Sequence, residues 1–296
     1  MTPAPRRPLD LTGFWLMFGL ALLFGANNLM IKLGNEGLQP VFFAGVRSVI
    51  GTGALALWMA WRKIPVRLDL WRAGLVMGLL FSSEFMLLFI ALDNTSVVRA
   101  SSLFYAMPIW LALAAHFLFP GERLTGPRAL GFALGFGGVV LTLAGRAGGL
   151  GDGSIAGDLA AIFAGVSWAA IVVVSRKTTL GTAPAETQIL WQTMVSAVLL
   201  CALAPLYGGP LVREFTTFQA IMLVVQSLGV VCLGFVTWFW LLGRYQASTL
   251  ASFSFLTPAL SALLGWLVLD EPVAATTPIA IALLIAGLML INRRRA

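Results

Sequence analysis

The second half of this chain repeats the first. Ala91–Tyr105 lines up without a gap against Leu241–Phe255 at an offset of 150, and the same offset carries Pro108 onto Pro258. Phe24–Lys32 pairs with Trp168–Arg176 at an offset of 144, which also places Pro40 on Pro184 and Arg47 on Trp191. At an offset of 149, Glu122 falls on Glu271 and Gly138 on Gly287. Apolar helices resemble one another by composition alone. Composition does not, however, bring prolines and acidic loop residues into register.

The repeat lies in a chain that belongs in a bilayer. Of its 296 residues 59% are hydrophobic and only 10% are charged, whereas soluble domains carry about a quarter charged residues. A water-soluble fold of this length cannot hide so much apolar surface. A spanning helix needs about 20 mostly apolar residues, and ten such runs are present. They are Leu11–Leu33, Pro40–Trp61, Leu70–Leu92, Val97–Phe119, Ala129–Gly145, Asp158–Ser175, Pro184–Leu206, Phe218–Leu242, Ala247–Leu269 and Thr276–Asn292. A Gly-rich stretch, Arg146–Gly157, separates the two sets of five. The runs are too long and too uniformly apolar for an outer-membrane barrel. The first run is too long for the core of a cleaved signal peptide and lacks a small-residue cleavage pattern, so it reads as the first span.

The net charge of +7 reports orientation rather than a nucleic-acid partner. Its basic residues cluster in short loops, and no basic helix or RNA-binding aromatic motif is visible. With the N-terminus in the cytoplasm, the inner side holds 14 basic residues, among them Arg62, Lys63, Arg67, Arg176, Lys177 and Arg293. The outer side holds 4 (Lys32, Arg99, Arg146 and Arg213), and Arg47 is left inside a span. That bias puts both termini in the cytoplasm. Five spans per half is an odd number, so the second half enters the membrane from the opposite side. The expected architecture is an all-α membrane protein of ten transmembrane helices, built as two inverted five-helix repeats over residues 1–148 and 149–296. Inverted repeats are a common construction of secondary transporters, with the binding site where the halves meet.

At these residues the chain resembles the EamA-type drug/metabolite transporter family. Phe24-Gly25-Ala26-Asn27 leading to Lys32 looks like that family's first span, and Pro40 with Arg47 like its second. Ala91-Leu92, Thr95-Ser96 and Ala100-Ser101, ending at Pro108, look like the third and fourth, and Glu122 with Gly138 fits the fifth. The second copy keeps Trp168, Arg176, Pro258, Glu271-Pro272 and Gly287. The ordered set covers essentially the whole chain. The resemblance is nearest to the amino-acid and metabolite exporters, aromatic-amino-acid exporters included. It implies a ten-helix exporter of the inner membrane, with spans one to four and six to nine around a central cavity and spans five and ten at the periphery. One departure is Glu84, at a third-span position where a neutral polar residue such as Asn is expected.

A transporter needs polar groups inside the membrane to replace its substrate's hydration. Charge buried there costs about 3 kcal/mol or more, so intramembrane polar residues are the first candidates. Glu84 would bind a substrate ammonium group or carry a proton; otherwise it is a protonated packing residue. Arg47, about 10 Å into its span at about 1.5 Å per residue, would attract a carboxylate or gate the cavity, or it snorkels. Asn27 suits amino and carboxylate groups alike, while Asn28 reads as helix packing. Tyr105 lies one turn before Pro108, where the backbone opens; Ser82, Ser83, Ser101 and Ser102 are lesser candidates. Pro108 and Pro258 are symmetry mates, either hinges or fixed bends. Trp168 and Trp191 would stack on an apolar or aromatic substrate, and Gln188, Gln192 and Gln226 are uncharged polar candidates.

Other features read as structure. Gly131, Gly135 and Gly138 face Ala282, Ala286 and Gly287 in the pattern of close helix packing or a dimer contact. Asn94-Thr95-Ser96 is turn chemistry. Cys201, Cys232 and His116 have no metal-ligand spacing. No P-loop, HExxH or nucleophile elbow appears, which argues against an ATP-driven pump and the common intramembrane hydrolases. No metal or cofactor is expected. The expected partners are a small-molecule substrate and the lipid bilayer, with the chain a monomer or weak homodimer. The first reading is thus an exporter of neutral amino acids and related metabolites. The alternatives are the same fold carrying drugs, nucleotide sugars or polyamines, or a non-transporting membrane enzyme or scaffold.

Overall fold

Polar residues at the ends of the apolar runs decide where the helices start. In the computed structural model, which describes residues 10–119, 126–144, 154–245 and 256–292, α1 (Leu11–Gly37) opens under Asp10, whose carboxylate accepts the Gly13 N–H at 2.7 Å. Pro40 occupies the first position of α2 (Pro40–Trp61), and the Gln39 side chain accepts the Phe42 N–H at 2.9 Å. Proline costs nothing there, because that N–H has no intrahelical partner. Ser96 caps the helix that begins at Val97, and Ser154 the one that begins at Ile155, in the same manner. Glu122, Arg146 and the opening of the ninth run, 247–255, lie outside the described residues.

The remaining elements are α3 (Trp71–Asn94), α4 (Val97–Phe104), α5 (Met107–Leu118), α6 (Gly126–Ala144), α7 (Ile155–Lys177) and α8 (Ala185–Tyr207). Then come α9 (Thr217–Val224), a π-helical segment Val225–Gly234, α10 (Phe235–Arg244), α11 (Leu256–Leu269) and α12 (Thr277–Asn292). Among the described residues seven helical stretches are long and apolar enough to cross a membrane, with α4–α5 as one of them. Three shorter apolar helices, Ala129–Ala144, Leu256–Leu269 and Thr277–Gly287, accompany them. Large apolar side chains such as Leu57, Phe163, Val198 and Leu206 face outward, as a lipid solvent requires. The chain is a multi-pass, all-helical membrane protein.

Two details differ from the sequence expectation. The first helix runs on to Gly37 rather than ending at Leu33. The fourth run is interrupted: α4 stops at Phe104, and α5 begins at Met107 with Pro108 in its first turn. Pro108 therefore starts a helix instead of kinking one.

The principal packing pairs are α3 with α7 and α8, α2 with α8, α1 with α11, α4 and α5 with α7, and α6 with α12. The π segment packs on α1 and α2. The α6–α12 contact is made in part by the glycines of the two small-residue faces, Gly131, Gly135 and Gly138 against Gly287 and its neighbours. A Cβ at Gly287 would lie 2.5 Å from the Gly131 carbonyl oxygen and 2.6 Å from the Gly135 nitrogen. Gly287→Leu should accordingly force the two helices apart. A cost of about 1–3 kcal/mol is expected, read as a lower thermal midpoint of the detergent-solubilised protein.

The two ends of the bundle differ. At one end the segment after α8 is tied across the starts and ends of α1, α2 and α3. Arg213 pairs with Asp93 at 2.8 Å and also donates to the Asn35 carbonyl. Gly37 accepts the backbone N–H groups of Arg213 and Glu214, and Gln39 donates to the Ala204 carbonyl at 2.7 Å. The Asp93 carboxylate holds the Arg213 guanidinium above its ordinary pKa. At the other end a cavity of about 710 Å³ opens between α2, α8 and α10, lined by Trp58, Trp61, Arg62, Lys63, Glu186 and Trp240 among others.

Candidate binding site

Arg47 lies deep in α2 and is completely buried. Its Nη1 donates to the Gln226 Oε1 at 3.2 Å, and the Gln226 Nε2 donates to the Asn27 carbonyl at 3.2 Å. One hydrogen-bonded chain therefore joins α2, the π segment and α1. The Phe85 ring centroid lies 3.9 Å from the Arg47 Cζ and that of Phe89 5.1 Å from it, so aromatic rings of α3 cover the cation. Glu84, next to Phe85 on α3, is buried and forms no ion pair with Arg47. The Arg47 Nε and Nη2, and the Asn27 Oδ1, have no hydrogen-bond partner. Removing Gln226 would orphan groups on both sides of it. Gln226→Leu should cost about 1–3 kcal/mol, seen in thermal unfolding.

The middle of α1 is a hub. The Tyr105 hydroxyl donates to the Phe24 carbonyl at 3.0 Å, the Ser261 hydroxyl to that of Gly25 at 2.6 Å, and Gln226 to that of Asn27. Three elements from different parts of the chain thus bond to one stretch of α1 backbone. Asn28 donates to the Ser101 hydroxyl at 2.9 Å, in the packing role its sequence context indicates.

Asn27, Arg47, Glu84, Tyr105 and Gln226 are thus gathered around α1–α3. The other candidates lie elsewhere. The Trp191 ring packs onto Gly74, where a Cβ would come within 2.3 Å of it, and its Nε1 donates to the Arg67 carbonyl at 3.3 Å. Gln192 donates to the Met77 Sδ at 3.3 Å. Trp168 is half-buried on α7, with no hydrogen bond to the Arg47 group. Trp191 and Gln192 are used in packing α8 on α3.

The sequence reading missed a second buried cation. Arg99, counted there as an outer loop residue, donates through Nε to the Asp158 Oδ1 at 3.1 Å, pairs through Nη2 with the other Asp158 oxygen, and donates through Nη1 to the Thr142 carbonyl at 2.9 Å. Thr95 adds a hydroxyl donor to Asp158 at 3.1 Å. Glu271 accepts the N–H groups of Val97 and Val98 at 2.7 and 3.0 Å, placing a carboxylate on the positive end of α4. The signal was available: Arg99 lies inside the fourth apolar run and Asp158 opens the sixth.

Among the described residues, a multi-pass helical bundle encloses a partly unsatisfied polar cluster, the kind of site a carrier of small polar molecules needs. The comparisons say which one. The model of the EamA-like transporter family matches residues 11–144 and again 155–293, and the chain belongs to that family. It is 30% identical over 239 residues to the aromatic amino acid exporter YddG of Ancylobacter novellus, covering 80% of this chain and 78% of that one. The probable amino-acid metabolite efflux pump of Escherichia coli is 25% identical, covering 91% of both chains. The transporter YvbV of Bacillus subtilis, described as uncharacterized, is 29% identical over 97% of this chain and 93% of its own. A solved crystal structure shares the fold with a TM-score of 0.64 at 23% identity, covering 95% of this chain and 96% of that one.

Proposed function

We propose that this protein is a secondary transporter that exports neutral amino acids, aromatic ones included, and related small metabolites across the inner membrane by alternating access. The observation that carries this reading is the Arg47–Gln226–Asn27 network. It is buried, unsatisfied on one edge, and contributed by both halves of the chain. The names of the Ancylobacter and Escherichia coli relatives support the cargo.

The inverted repeat belongs to the same proposal. An inverted repeat exchanges span n with span n + 5, so packing pairs must come in mates. The pair of spans one and nine (α1–α11) has its mate in six and four (α7 with α4 and α5). Spans three and seven (α3–α8) have theirs in eight and two (the π segment on α2), and three and six (α3–α7) in eight and one. Two and seven, five and ten, and four and nine are each their own mates, and all three pairs are in contact. Two separate matches to one family model point the same way. Residues 1–148 and 149–296 are the two units.

With the termini in the cytoplasm, the Arg213–Asp93 end is outer and the tryptophan-lined cavity is inner. This is the arrangement of a carrier open to the cytoplasm, its outer side latched by polar contacts. Pro108 and Pro258 mark where the fourth and ninth spans bend during the exchange. The working unit is a monomer or weak homodimer. Cells producing the protein and fed a phenylalanine-containing dipeptide should release phenylalanine to the medium faster than cells lacking it. Equal release, with the protein present in the membrane, would count against the reading.

A further inference from the structure

Among the described residues two arginines are buried, and the contrast between them is informative. Arg99 is matched on both sides: its Nε–Nη2 edge lies against the Asp158 carboxylate and its Nη1 on a backbone carbonyl. Arg47 has its Nη1 on Gln226 and one face on Phe85, while its Nε and Nη2 make no hydrogen bond. Those two nitrogens are the planar fork that a carboxylate fits with two parallel bonds. Leaving them unmatched inside a membrane protein costs free energy. A chain that satisfies Arg99 so completely has the means to satisfy Arg47 too.

The neighbouring groups are unmatched in the opposite sense. The Asn27 Oδ1, on the helix that Gln226 links to Arg47, accepts nothing. Glu84, buried beside Phe85 in the helix whose ring covers Arg47, accepts no hydrogen bond from any described residue. Unused donors therefore stand beside unused acceptors. A free α-amino acid carries both complements on one carbon.

We infer that the Arg47 Nε–Nη2 edge binds the substrate's carboxylate, and that Asn27 and Glu84 receive its ammonium group. The site thereby selects substrates with a free carboxylate and a free amine together. This rests on the amino-acid reading above and adds the orientation. Such a substrate brings no net charge to the cluster. A decarboxylated amine or a carboxamide would leave Arg47 unmatched and bring in an uncompensated positive charge, which the interior of a membrane protein disfavours.

The test is competition in proteoliposomes preloaded with phenylalanine, reading uptake of labelled phenylalanine at fixed pH. Unlabelled phenylalanine should compete at least about tenfold better than phenylalaninamide or phenethylamine, and 3-phenylpropionate should compete better than the amine. Arg47→Lys, which keeps the charge but not the fork, should raise the half-saturating phenylalanine concentration about tenfold or more. The wild-type analogue series stands alone if that variant does not fold. Amide or amine competing as well as phenylalanine would overturn the inference and leave amino-acid transport intact. Folded protein that exchanges none of phenylalanine, threonine and methionine would overturn both.

Discussion

Arg99→Met is expected to destabilise the protein by about 3–5 kcal/mol, because it breaks a buried ion pair with Asp158 and the tie to the Thr142 carbonyl. Asp158 is fully buried and accepts from the Arg99 guanidinium and the Thr95 hydroxyl. The pair joins α4 to α7, and Arg99 further ties α4 to α6 through the Thr142 carbonyl. Three helices therefore loosen together. Replacing both charges, as Arg99→Met with Asp158→Leu, should recover most of the loss, since a buried ion pair exchanged for apolar groups of similar size is often near neutral. Denaturant unfolding in detergent micelles checks this. A single variant as stable as the wild type would show that Asp158 finds another partner.

Glu84→Gln is expected to change which substrates are taken. Two unit charges about 6 Å apart interact by about 3 kcal/mol at an effective dielectric of about 20, or about 100-fold in binding. Without the Glu84 carboxylate, Arg47 is left as an uncompensated cation and the cluster carries one more positive charge. Neutral amino acids should then exchange much more slowly. Acidic amino acids such as glutamate should compete better than they do against the wild type. Competition assays with phenylalanine and glutamate on both proteins decide this. An unchanged preference would remove Glu84 from the site and make it a packing residue of α3.

Much of the fold was legible because a bilayer imposes few options. An apolar run of about 20 residues has to become a helix, and Asp10, Gln39-Pro40, Ser96 and Ser154 announce where helices begin. The break in the fourth span was half legible: Pro108 marked the place, but a proline in a first turn and a proline in a kink look alike in sequence. The site was legible only as a set of candidates. Nothing in the sequence pairs Arg47 with Gln226, because 179 residues separate them and only tertiary packing joins them. Trp191 shows the converse. The repeat aligns it with Arg47, yet its ring is spent filling the groove left by Gly74. The repeat conveys backbone geometry and leaves side-chain chemistry free to diverge, so the two halves contribute unlike residues to one site. Arg99 and Asp158 were passed over for a related reason. Charge near the end of a span reads as loop charge until a partner on another helix is seen.

The most direct test of the account is counterflow. Purified protein would be reconstituted in liposomes preloaded with unlabelled amino acids, with labelled phenylalanine, threonine, methionine and glutamate supplied outside in turn, with and without a pH gradient. The account predicts accumulation of the neutral amino acids and little of glutamate; accumulation indifferent to the gradient marks a facilitative carrier, and accumulation that needs the gradient marks a proton-coupled one. No accumulation of any neutral amino acid by folded protein would contradict it.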